Sequence, residues 1–386
     1  MKIGIDIRLI GKKQTGSEAV FFNLAKNLAK IDSENEYKLF TDITDTTVLQ
    51  NTGVSLGIDN QKNFEIISLP TRNKFSWNFW TLPIYLRKKP VDVYLTQYIT
   101  PWFVPKKVKI VTIIHDISFE FYPQFIKFWD LFFLKSLIPK SLKRADKIMA
   151  VSKFTQDEII KYYKVDPKKA DWFHNAVSED FSMQDISEEK IKTIKKKYNL
   201  PERYILYIGT LQPRKNIPAL IEAVALLKTE PNLKLKLNSL KLVIAGGKGH
   251  NYDKLIDEVV GRNNLAEDVF FPGYIDEEDK AAIMKGADIF VFPSFYEGFG
   301  MPIIEAMSLG VPTIVSDIPP HREIANNATL YFKPEIPGEL TQKIKEIIIN
   351  EMVRDSLSRN GKLQAEKFSW QKTAQKLLNI FVEMNH

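Results

Sequence analysis

Residues 297–305, EGFGMPIIE, are the stretch that decides the fold of this 386-residue chain. They follow IFVFP at 289–293, an apolar run whose β-branched and aromatic residues predict a buried strand of a parallel sheet. They lead into 302–309, a predicted short helix with a proline at its first position and Gly310 after its last. Two glutamates therefore flank a glycine loop at the carboxyl end of a strand, where open α/β sheets bind their ligands.

The two glycines of this loop, Gly298 and Gly300, allow the backbone to approach a ligand closely. The helix that follows presents unpaired N–H groups, which suit an anion. For a single segment of this kind a plain strand–helix turn with solvated glutamates is the favoured interpretation, so the other motifs of the chain have to decide.

The length of the chain predicts two α/β domains, because one hydrophobic core rarely extends beyond about 300 residues. The chain has no cysteine, which excludes disulfides, thiolate zinc sites and a cysteine nucleophile. No apolar run approaches the roughly 20 residues of a membrane span. The N-terminus, MKIGID, enters a strand directly, so we expect no signal peptide and a cytoplasmic protein.

The chain is basic, with a formal net charge of +7. A basic balance suits nucleic acid, an anionic membrane surface or small phosphorylated ligands. Nucleic acid is the least favoured of these partners, because the sequence has no helix-turn-helix, zinc-finger or aromatic RNA-binding pattern.

The first half of the chain alternates strands with helical or loop stretches. Strands are predicted at 3–7, 37–41, 64–68, 91–96, 108–114 and 147–151. After the first strand, the loop 11–17 leads through Gly16 into an amphipathic helix that Ser17 would cap. This loop lacks the full G-x-G-x-x-G fingerprint, which argues against a nicotinamide dehydrogenase.

The second half repeats the alternation and predicts a second parallel sheet. Its strands are predicted at 204–209, 242–245, 269–271, 289–292, 313–315 and 330–332, with a helix at 217–228 and only helices after 336. The charged stretch 179–200 predicts a surface linker between the domains. We therefore expect four parts: an N-terminal domain at 1–178, the linker 179–200, a C-terminal domain at 201–368, and a helix at 369–386 that returns to the N-terminal domain.

Five motifs together carry a resemblance to a known family. They are GTLQPRKN at 209–216, LVIAG at 242–246, FPGY at 271–274, PS at 293–294 running into 297–305, and SDIP at 316–319. In their order and spacing the chain resembles the retaining glycosyltransferases of family 4. The resemblance implies the GT-B architecture, an α/β fold with two Rossmann-like parallel-sheet domains facing across a cleft.

The resemblance also implies a nucleotide-sugar donor bound mainly by the C-terminal domain. Glu305 would accept hydrogen bonds from the ribose hydroxyls, and Glu297 would lie against the donor sugar. The backbone from Gly298 to Met301, including Phe299 and Gly300, would offer N–H groups to the sugar or the diphosphate. Lys215 would neutralise the diphosphate and stabilise the departing nucleotide.

The chain departs from the family pattern at one position. Many family members have an arginine, a second diphosphate ligand, where this chain has Thr210. Arg214 is either its replacement or a solvated surface cation, and both interpretations stay open. The backbone near Tyr274 would bind the base, whereas we expect its ring to be packed.

Two residues of the N-terminal domain also match the family. Gly16 corresponds to a glycine whose backbone approaches the diphosphate, and His115 corresponds to a histidine near the sugar. The alternative for His115 is a structural hydrogen bond at the end of its strand. Asp116 would orient His115 or cap the next segment.

We expect neither a metal nor a cofactor. The other histidines share no spacing suited to a metal, and no Asp-x-Asp signature stands out; they are His174, His250, His321 and His386. The resemblance likewise implies catalysis without a metal.

Aromatic residues crowd into 119–133, and basic residues follow them. A second aromatic stretch lies at 74–89 and ends in Arg87, Lys88 and Lys89. Rings beside cations suit a membrane interface and a lipid-linked acceptor, but they also suit a packed helix. Packing is the favoured interpretation for 119–133, while 74–89 stays open.

The favoured function is transfer of a hexose, with retention, from a nucleotide diphosphate sugar to a glycan or lipid-linked glycan. The motif forms resemble bacterial mannosyltransferases of surface-polysaccharide assembly, which favours mannose and a GDP-mannose donor. Such an enzyme could associate with the inner face of the membrane. Two alternatives are a nucleotide-sugar epimerase of the same superfamily and a non-catalytic nucleotide-sugar-binding subunit.

Overall fold

The chain folds into two compact units, each built around a parallel sheet. The computed structural model describes residues 1–12, 16–182, 186–231, 239–247 and 253–385. The first unit comprises Met1–Asn175 together with Ser369–His386, and the second comprises Ala176–Phe368.

The first unit contains a seven-stranded sheet in the order β3-β2-β1-β4-β5-β6-β7. The strands are β1 (Lys2–Asp6), β2 (Glu36–Thr41), β3 (Phe64–Ser68), β4 (Val93–Gln97), β5 (Lys109–Ile114), β6 (Lys147–Ala150) and β7 (Ala170–Trp172). The helices are Gly16–Ile31, Thr46–Leu56, Lys74–Ser76, Leu82–Lys88, Ser118–Phe121, Phe128–Arg144, Lys153–Tyr163 and Trp370–Asn385, with a π-helical turn at Trp77–Thr81 and a 3₁₀ turn at Pro123–Phe125.

Helix Gly16–Ile31 packs against helix Trp370–Asn385, at the other end of the chain. Its apolar face is buried as its helical spacing predicts, and the residues concerned are Phe21, Leu24, Ala25 and Leu28. On the facing helix Ala374, Leu377 and Phe381 are buried. The last helix therefore forms part of the core of the first unit.

The second unit contains a six-stranded sheet in the order β10-β9-β8-β11-β12-β13. The strands are β8 (Arg203–Ile208), β9 (Leu240–Ala245), β10 (Val269–Gly273), β11 (Ile289–Phe292), β12 (Thr313–Ser316) and β13 (Leu330–Phe332). The helices are Glu179–Ser182, Glu188–Lys197, Ile217–Lys228, Asp253–Arg262, Glu277–Lys285, Met301–Ser308, Pro319–Ala325, Pro337–Ile349 and Glu351–Ala365, with a 3₁₀ turn at Pro213–Lys215.

Strands β8 and β11 are neighbours in this sheet although they are distant in sequence. The chain leaves β8 towards β9 on one side and leaves β11 towards β12 on the other. The chain thus turns away from these two neighbouring strands in opposite directions, and the carboxyl edge at such a switch point is where doubly wound sheets bind ligands.

The ends of β8 and β9 approach closely at two glycines. A Cβ atom on Gly246 would lie 1.9 Å from the carbonyl oxygen of Gly209, and Gly246 has a φ of +142°. Only glycine fits there without displacing the backbone.

Residues 179–200 do not form the surface linker that their charge predicts. Helix Glu188–Lys197 lies within the second unit, and Ile191 and Ile194 are buried in its core. Two isoleucines three positions apart occupy one face of this helix, while its lysines and glutamates occupy the others. The high charge of the segment concealed this narrow apolar stripe.

The packing expected for the aromatic stretch 119–133 is wrong for most of its rings. Phe119 is buried, but Phe121, Phe125, Phe128, Trp129 and Phe132 are exposed. In helix Phe128–Arg144 the buried residues are Leu137, Ile138, Ser141 and Leu142, all in the second half. The first half of the helix therefore presents its aromatic residues to solvent.

None of the described helices is long and apolar enough to cross a lipid bilayer.

Candidate functional site

The candidate site lies at the carboxyl edge of the second sheet, in the loops after β8 and β11. The 3₁₀ turn Pro213–Lys215 ends at Asn216, which adopts a left-handed conformation with φ of +54°. The N–H of Phe295 donates to the carbonyl oxygen of Arg214 over 2.9 Å. This backbone contact holds the two loops together.

Glu297 binds two cations from the opposite loop. Lys215 Nζ donates to Glu297 Oε1 in a direct ion pair. Arg214 Nη1 lies 3.2 Å from Glu297 Oε2 and 3.0 Å from the carbonyl oxygen of Tyr296. Arg214 is therefore not a solvated surface cation, and both neighbours in the sequence converge on one carboxylate.

This cluster is buried and stays ionised. Glu297 and Lys215 are 7% and 8% exposed, and Lys215 Nζ also lies 5.1 Å from the centre of the Phe292 ring. Burial by itself would raise the pKa of Glu297, but the charges of Lys215 and Arg214 outweigh it and lower that pKa from 4.5 to about 2. Two cations against one carboxylate leave one excess positive charge, which suits an anionic ligand.

Gly300 forms the start of helix Met301–Ser308. It has a left-handed φ of +102°, and a Cβ atom there would lie 2.9 Å from the side chain of Ile303. The carbonyl oxygen of Gly300 accepts a 2.9 Å hydrogen bond from Ile303 N–H. Met301 N–H then lies in the first turn, where backbone donors have no partner within the helix.

The same helix carries Glu305, which pairs with a lysine that sequence reasoning missed. Lys280 Nζ, from helix Glu277–Lys285, lies 2.7 Å from Glu305 Oε1 and 3.4 Å from Glu277 Oε1. Glu305 is 5% exposed, and its Oε2 is buried without a hydrogen-bond partner among the described residues. A buried acceptor in this state is available to a ligand hydroxyl.

The charge of this second pair is set by burial and by the partners. Burial raises the pKa of Glu305 despite the opposing charge of Lys280. Burial would lower the pKa of Lys280, but Glu305 and Glu277 outweigh it and raise that pKa. Lys280 therefore stays protonated and holds one oxygen of Glu305 in place. Its spacing of 25 residues from Glu305 offered no signal in the sequence.

His321 is a second residue that sequence reasoning did not place at the site. It is completely buried, its Nδ1 lies 3.0 Å from the carbonyl oxygen of Ser316, and its ring lies 5.8 Å from that of Phe292. Burial lowers the pKa of His321 to about 4 although Glu297 opposes the shift, so the ring is neutral. Its Nε2 is buried without a partner among the described residues.

The other donor-binding residues predicted for this unit lie outside these two pairs. Thr210 is exposed, and its carbonyl oxygen accepts a 3.2 Å hydrogen bond from Tyr207. Tyr274 follows β10 with its ring 57% exposed, so the packing expected for this ring is wrong.

Gly16 and His115 lie in the first unit, and their donor-binding roles stay predictions. Gly16 is the exposed first residue of its helix, so Ser17 lies inside the helix and does not cap it from outside. The preceding loop residues Lys13, Gln14 and Thr15 lie outside the described residues.

His115 is held by a neighbouring strand. Its Nε2 lies 2.8 Å from Gln97 Oε1, at the end of β4. Burial lowers the pKa of His115 to about 4 against the opposing charge of Asp116, so the imidazole is neutral. A neutral ring oriented in this way can accept or donate a hydrogen bond, as both interpretations of the residue require.

Within the described part of the chain, Asp276, Glu278 and Asp279 are the grouped side chains that could hold a metal ion. Lys197 Nζ lies 3.0 Å from Asp276 and 2.5 Å from Asp279, and Tyr198 OH binds both carboxylates. This acidic group therefore joins two helices of the second unit. His250 and His386 lie outside the described residues.

Two family models match the chain. Residues 15–181 match the model described as Glycosyltransferase Family 4, and residues 189–364 match Glycosyl transferases group 1. The O-antigen chain mannosyltransferase B of Escherichia coli is 30% identical over 282 residues, which cover 72% of this chain and 72% of that protein. The chain belongs to the family-4 glycosyltransferases. This confirms the family that the motifs predict.

Other curated relatives of this glycosyltransferase are also mannosyltransferases. The O-antigen chain mannosyltransferase RfbU of Salmonella typhimurium is 31% identical over 64% of this chain and 62% of its own length. The serotype-specific mannosyltransferase WbdA of Escherichia coli is 29% identical over 63% of this chain. The match spans only 29% of the length of WbdA. The comparisons favour a transferase over the epimerase and the non-catalytic subunit.

Solved structures show the fold of this glycosyltransferase. Sucrose-phosphate synthase from Thermosynechococcus elongatus matches with a TM-score of 0.75 and 19% identity over 100% of this chain and 99% of that one. WaaG, a glycosyltransferase involved in lipopolysaccharide biosynthesis, matches with a TM-score of 0.71 and 15% identity over 99% of each chain. The two Rossmann-like parallel-sheet domains therefore form the GT-B fold that the motifs imply.

The lowered pKa of Glu297 predicts a pH-dependent contribution to stability. A carboxyl with a lowered pKa stabilises the folded state above its unfolded pKa, and this contribution is lost as the pH falls through the folded pKa. We therefore expect Glu297→Gln to destabilise the protein, by roughly 3 kcal/mol, at pH 7. The difference from wild type should hold down to about pH 5 and shrink between pH 4.5 and about 2.

Urea unfolding of both proteins at stepped pH values measures this difference. The matched control is Glu335→Gln, at an exposed position of the same unit. A difference between wild type and Glu297→Gln that stays constant from pH 7 to pH 3 would contradict an ionised, cation-bound Glu297.

Proposed function

We propose that this glycosyltransferase moves mannose from GDP-mannose to a hydroxyl group of a glycan or a lipid-linked glycan. The names of its curated relatives, which are mannosyltransferases of O-antigen chains, support mannose as the sugar. Donor binding is assigned to the second unit because the Arg214–Lys215–Glu297 cluster carries an excess positive charge and Glu297 lies in the loop that leads into helix Met301–Ser308.

A nucleoside diphosphate fits the charges of this cluster. The phosphates would take the excess positive charge of Lys215 and Arg214, and Met301 N–H in the first turn of its helix would add a donor. As the bond to the sugar breaks, negative charge builds on the departing diphosphate. Cations already held in place by Glu297 would stabilise that charge without rearranging.

The two glutamates would have different tasks. Glu305 has a buried oxygen, Oε2, without a partner among the described residues, and it would accept the ribose hydroxyls while Lys280 holds its Oε1. Glu297 is bound through both oxygens to cations, so it would position the sugar and the cations rather than act as a covalent nucleophile.

We also propose that the reaction proceeds with retention and without a metal. The leaving phosphate would take the proton of the incoming hydroxyl on the face from which it departs, so the new bond forms on that same face. Lys215 and Arg214 would supply the positive charge that a metal ion supplies in other phosphate sites. These two features rest on the family resemblance and on the charges of the cluster.

A cytoplasmic location at the inner face of the membrane completes the proposal. GDP-mannose is a charged, water-soluble donor, whereas a lipid-linked acceptor is anchored in a bilayer. An enzyme that joins them would work at the boundary between the two.

Purified protein with GDP-mannose and related nucleotide sugars tests the function. A donor that binds the folded protein raises its melting temperature, and we expect the largest rise with GDP-mannose rather than UDP-glucose or dTDP-rhamnose. Transfer to a mannose-containing acceptor should continue in EDTA and keep the anomeric configuration of the donor. A larger shift with another nucleotide sugar would refute the donor, and loss of activity in EDTA would refute metal independence.

Lys215→Ala should lower kcat/KM by about 100-fold or more, because it removes a cation that stabilises the leaving diphosphate. The matched control is Lys343→Ala, on a surface helix of the same unit. Steady-state kinetics with varied donor decide the outcome. Near-wild-type kinetics in Lys215→Ala would rule out the diphosphate role of Lys215.

Glu305→Ala should raise the donor KM by about tenfold or more, because it removes the acceptor for the ribose hydroxyls. Lys280→Met should also raise the donor KM, since it removes the cation that holds Glu305 Oε1 in place. Both variants should lose the preference for GDP over its dideoxyribose analogue in a binding assay. A preference that persists in Glu305→Ala would show that another residue binds the ribose.

A further inference from the structure

The first unit exposes a set of large aromatic side chains that its core does not use. We call them the aromatic surface, and the exposed fractions of its most open members are 73% for Phe128, 68% for Trp129, 64% for Phe103 and 60% for Trp80. Phe132 is also exposed. Single exposed apolar residues are common, but a contiguous group of aromatic rings marks an interaction site.

Ring contacts form two groups from three separate segments, and Lys140 of helix Phe128–Arg144 connects the groups through its contact with the Trp102 ring. The Phe133 ring of helix Phe128–Arg144 lies 4.9 Å from the Phe75 ring. Within the helix, rings contact each other in the pairs Phe128–Trp129, Trp129–Phe132 and Phe132–Phe133. Phe79 contacts both Trp80 and Trp102, and Trp102 contacts Phe103. The stretches 74–89 and 119–144 therefore contribute to the same part of the first unit.

Cations lie directly beside these rings. Lys140 Nζ is 5.5 Å from the centre of the Trp102 ring, and Lys74 Nζ is 5.9 Å from that of Phe75. The segments 71–89, 100–109 and 119–144 together contain thirteen lysines and arginines but only two acidic residues, Glu120 and Asp130. The segments that contribute the aromatic surface are therefore strongly basic.

The chemistry of this surface fits one occupant. Tryptophan and phenylalanine insert into the boundary between headgroups and acyl chains, and neighbouring lysines and arginines attract anionic headgroups. We propose that the aromatic surface docks on an anionic lipid bilayer, with Phe128, Trp129 and Phe132 inserted at the headgroup level. The inference extends the proposed function, because a lipid-linked acceptor lies at such a membrane, but the lipid contact itself does not depend on the donor.

Co-sedimentation with vesicles tests the proposal on the full chain. The wild type should bind vesicles of phosphatidylcholine mixed with phosphatidylglycerol, bind phosphatidylcholine alone much more weakly, and dissociate as salt is added. Tryptophan emission should shift to shorter wavelengths on binding, since exposed Trp80 and Trp129 enter a less polar medium. A wild type that does not bind anionic vesicles would overturn the proposal.

The triple variant Phe128→Ser, Trp129→Ser, Phe132→Ser should lower the affinity for anionic vesicles by more than about tenfold, since three inserted rings are lost. The matched control is Ile349→Ser, Met352→Ser, Leu363→Ser, which changes three exposed apolar residues of the second unit. Equal vesicle binding by the triple variant and the wild type would refute the surface assignment.

Two further measurements separate this proposal from its alternatives. Sedimentation in the absence of lipid shows whether the wild type is a dimer that the triple variant dissociates, which would assign the surface to a second copy instead of lipid. The melting-temperature rise with GDP-mannose should persist in the triple variant, since none of the three changed residues is among those proposed or predicted to bind the donor. If the triple variant loses vesicle binding but keeps the melting-temperature rise with GDP-mannose, the lipid surface is supported. Loss of vesicle binding also supports it if GDP-mannose proves not to be the donor.

Discussion

The ion cluster of Lys215, Arg214 and Glu297 is the interaction on which the second unit's site depends. It joins the loop after β8 to the loop after β11, across 82 residues of sequence between lysine and glutamate. A buried carboxylate is stable only with its partners in place, and loss of one partner leaves an uncompensated charge that costs several kcal/mol. The same contacts that close the two loops therefore keep both cations ordered before a ligand arrives.

The two buried glutamates show how one fold gives similar residues different chemistry. Glu297 has a cation on each oxygen, so its charge is balanced from both sides and its pKa is low. Glu305 has one lysine on one oxygen, and burial raises its pKa. Glu297 thus holds two cations in place, while Glu305 keeps its second oxygen available as an acceptor.

The first unit places its apolar residues differently. Its core contains aromatic residues such as Phe21, Tyr37 and Phe381 beside aliphatic ones, whereas another group of aromatic rings stays outside it. A helix buries only the face that another element covers. In the first half of helix Phe128–Arg144, Leu131 and Leu134 pack against the core, whereas Phe128, Trp129 and Phe132 are exposed. Rings that would stabilise a core are consequently available for a partner.

Strand positions and motif order followed from local pattern. A parallel strand is a short run of β-branched and aromatic residues, so β3, β11 and β13 begin and end at the residues predicted. The other predicted strands differ by one or two residues at one or both ends. The short strand β7 was missed, because three residues carry too little pattern. The glycine loop and its glutamates were likewise predicted, since the strand–loop–helix order is written in consecutive residues.

Contacts between distant residues were decided only by the tertiary structure. Nothing in the local sequence indicates that Lys280 binds Glu305 or that Arg214 binds Glu297 beside Lys215. The position of the His321 ring next to Gly300 was equally unpredictable. The exposure of the aromatic stretch has the same cause, because whether a ring is covered depends on what packs against it. The sequence by itself determined the family, the strands and the chemical groups of EGFGMPIIE; the fold determined which cation each of its glutamates meets.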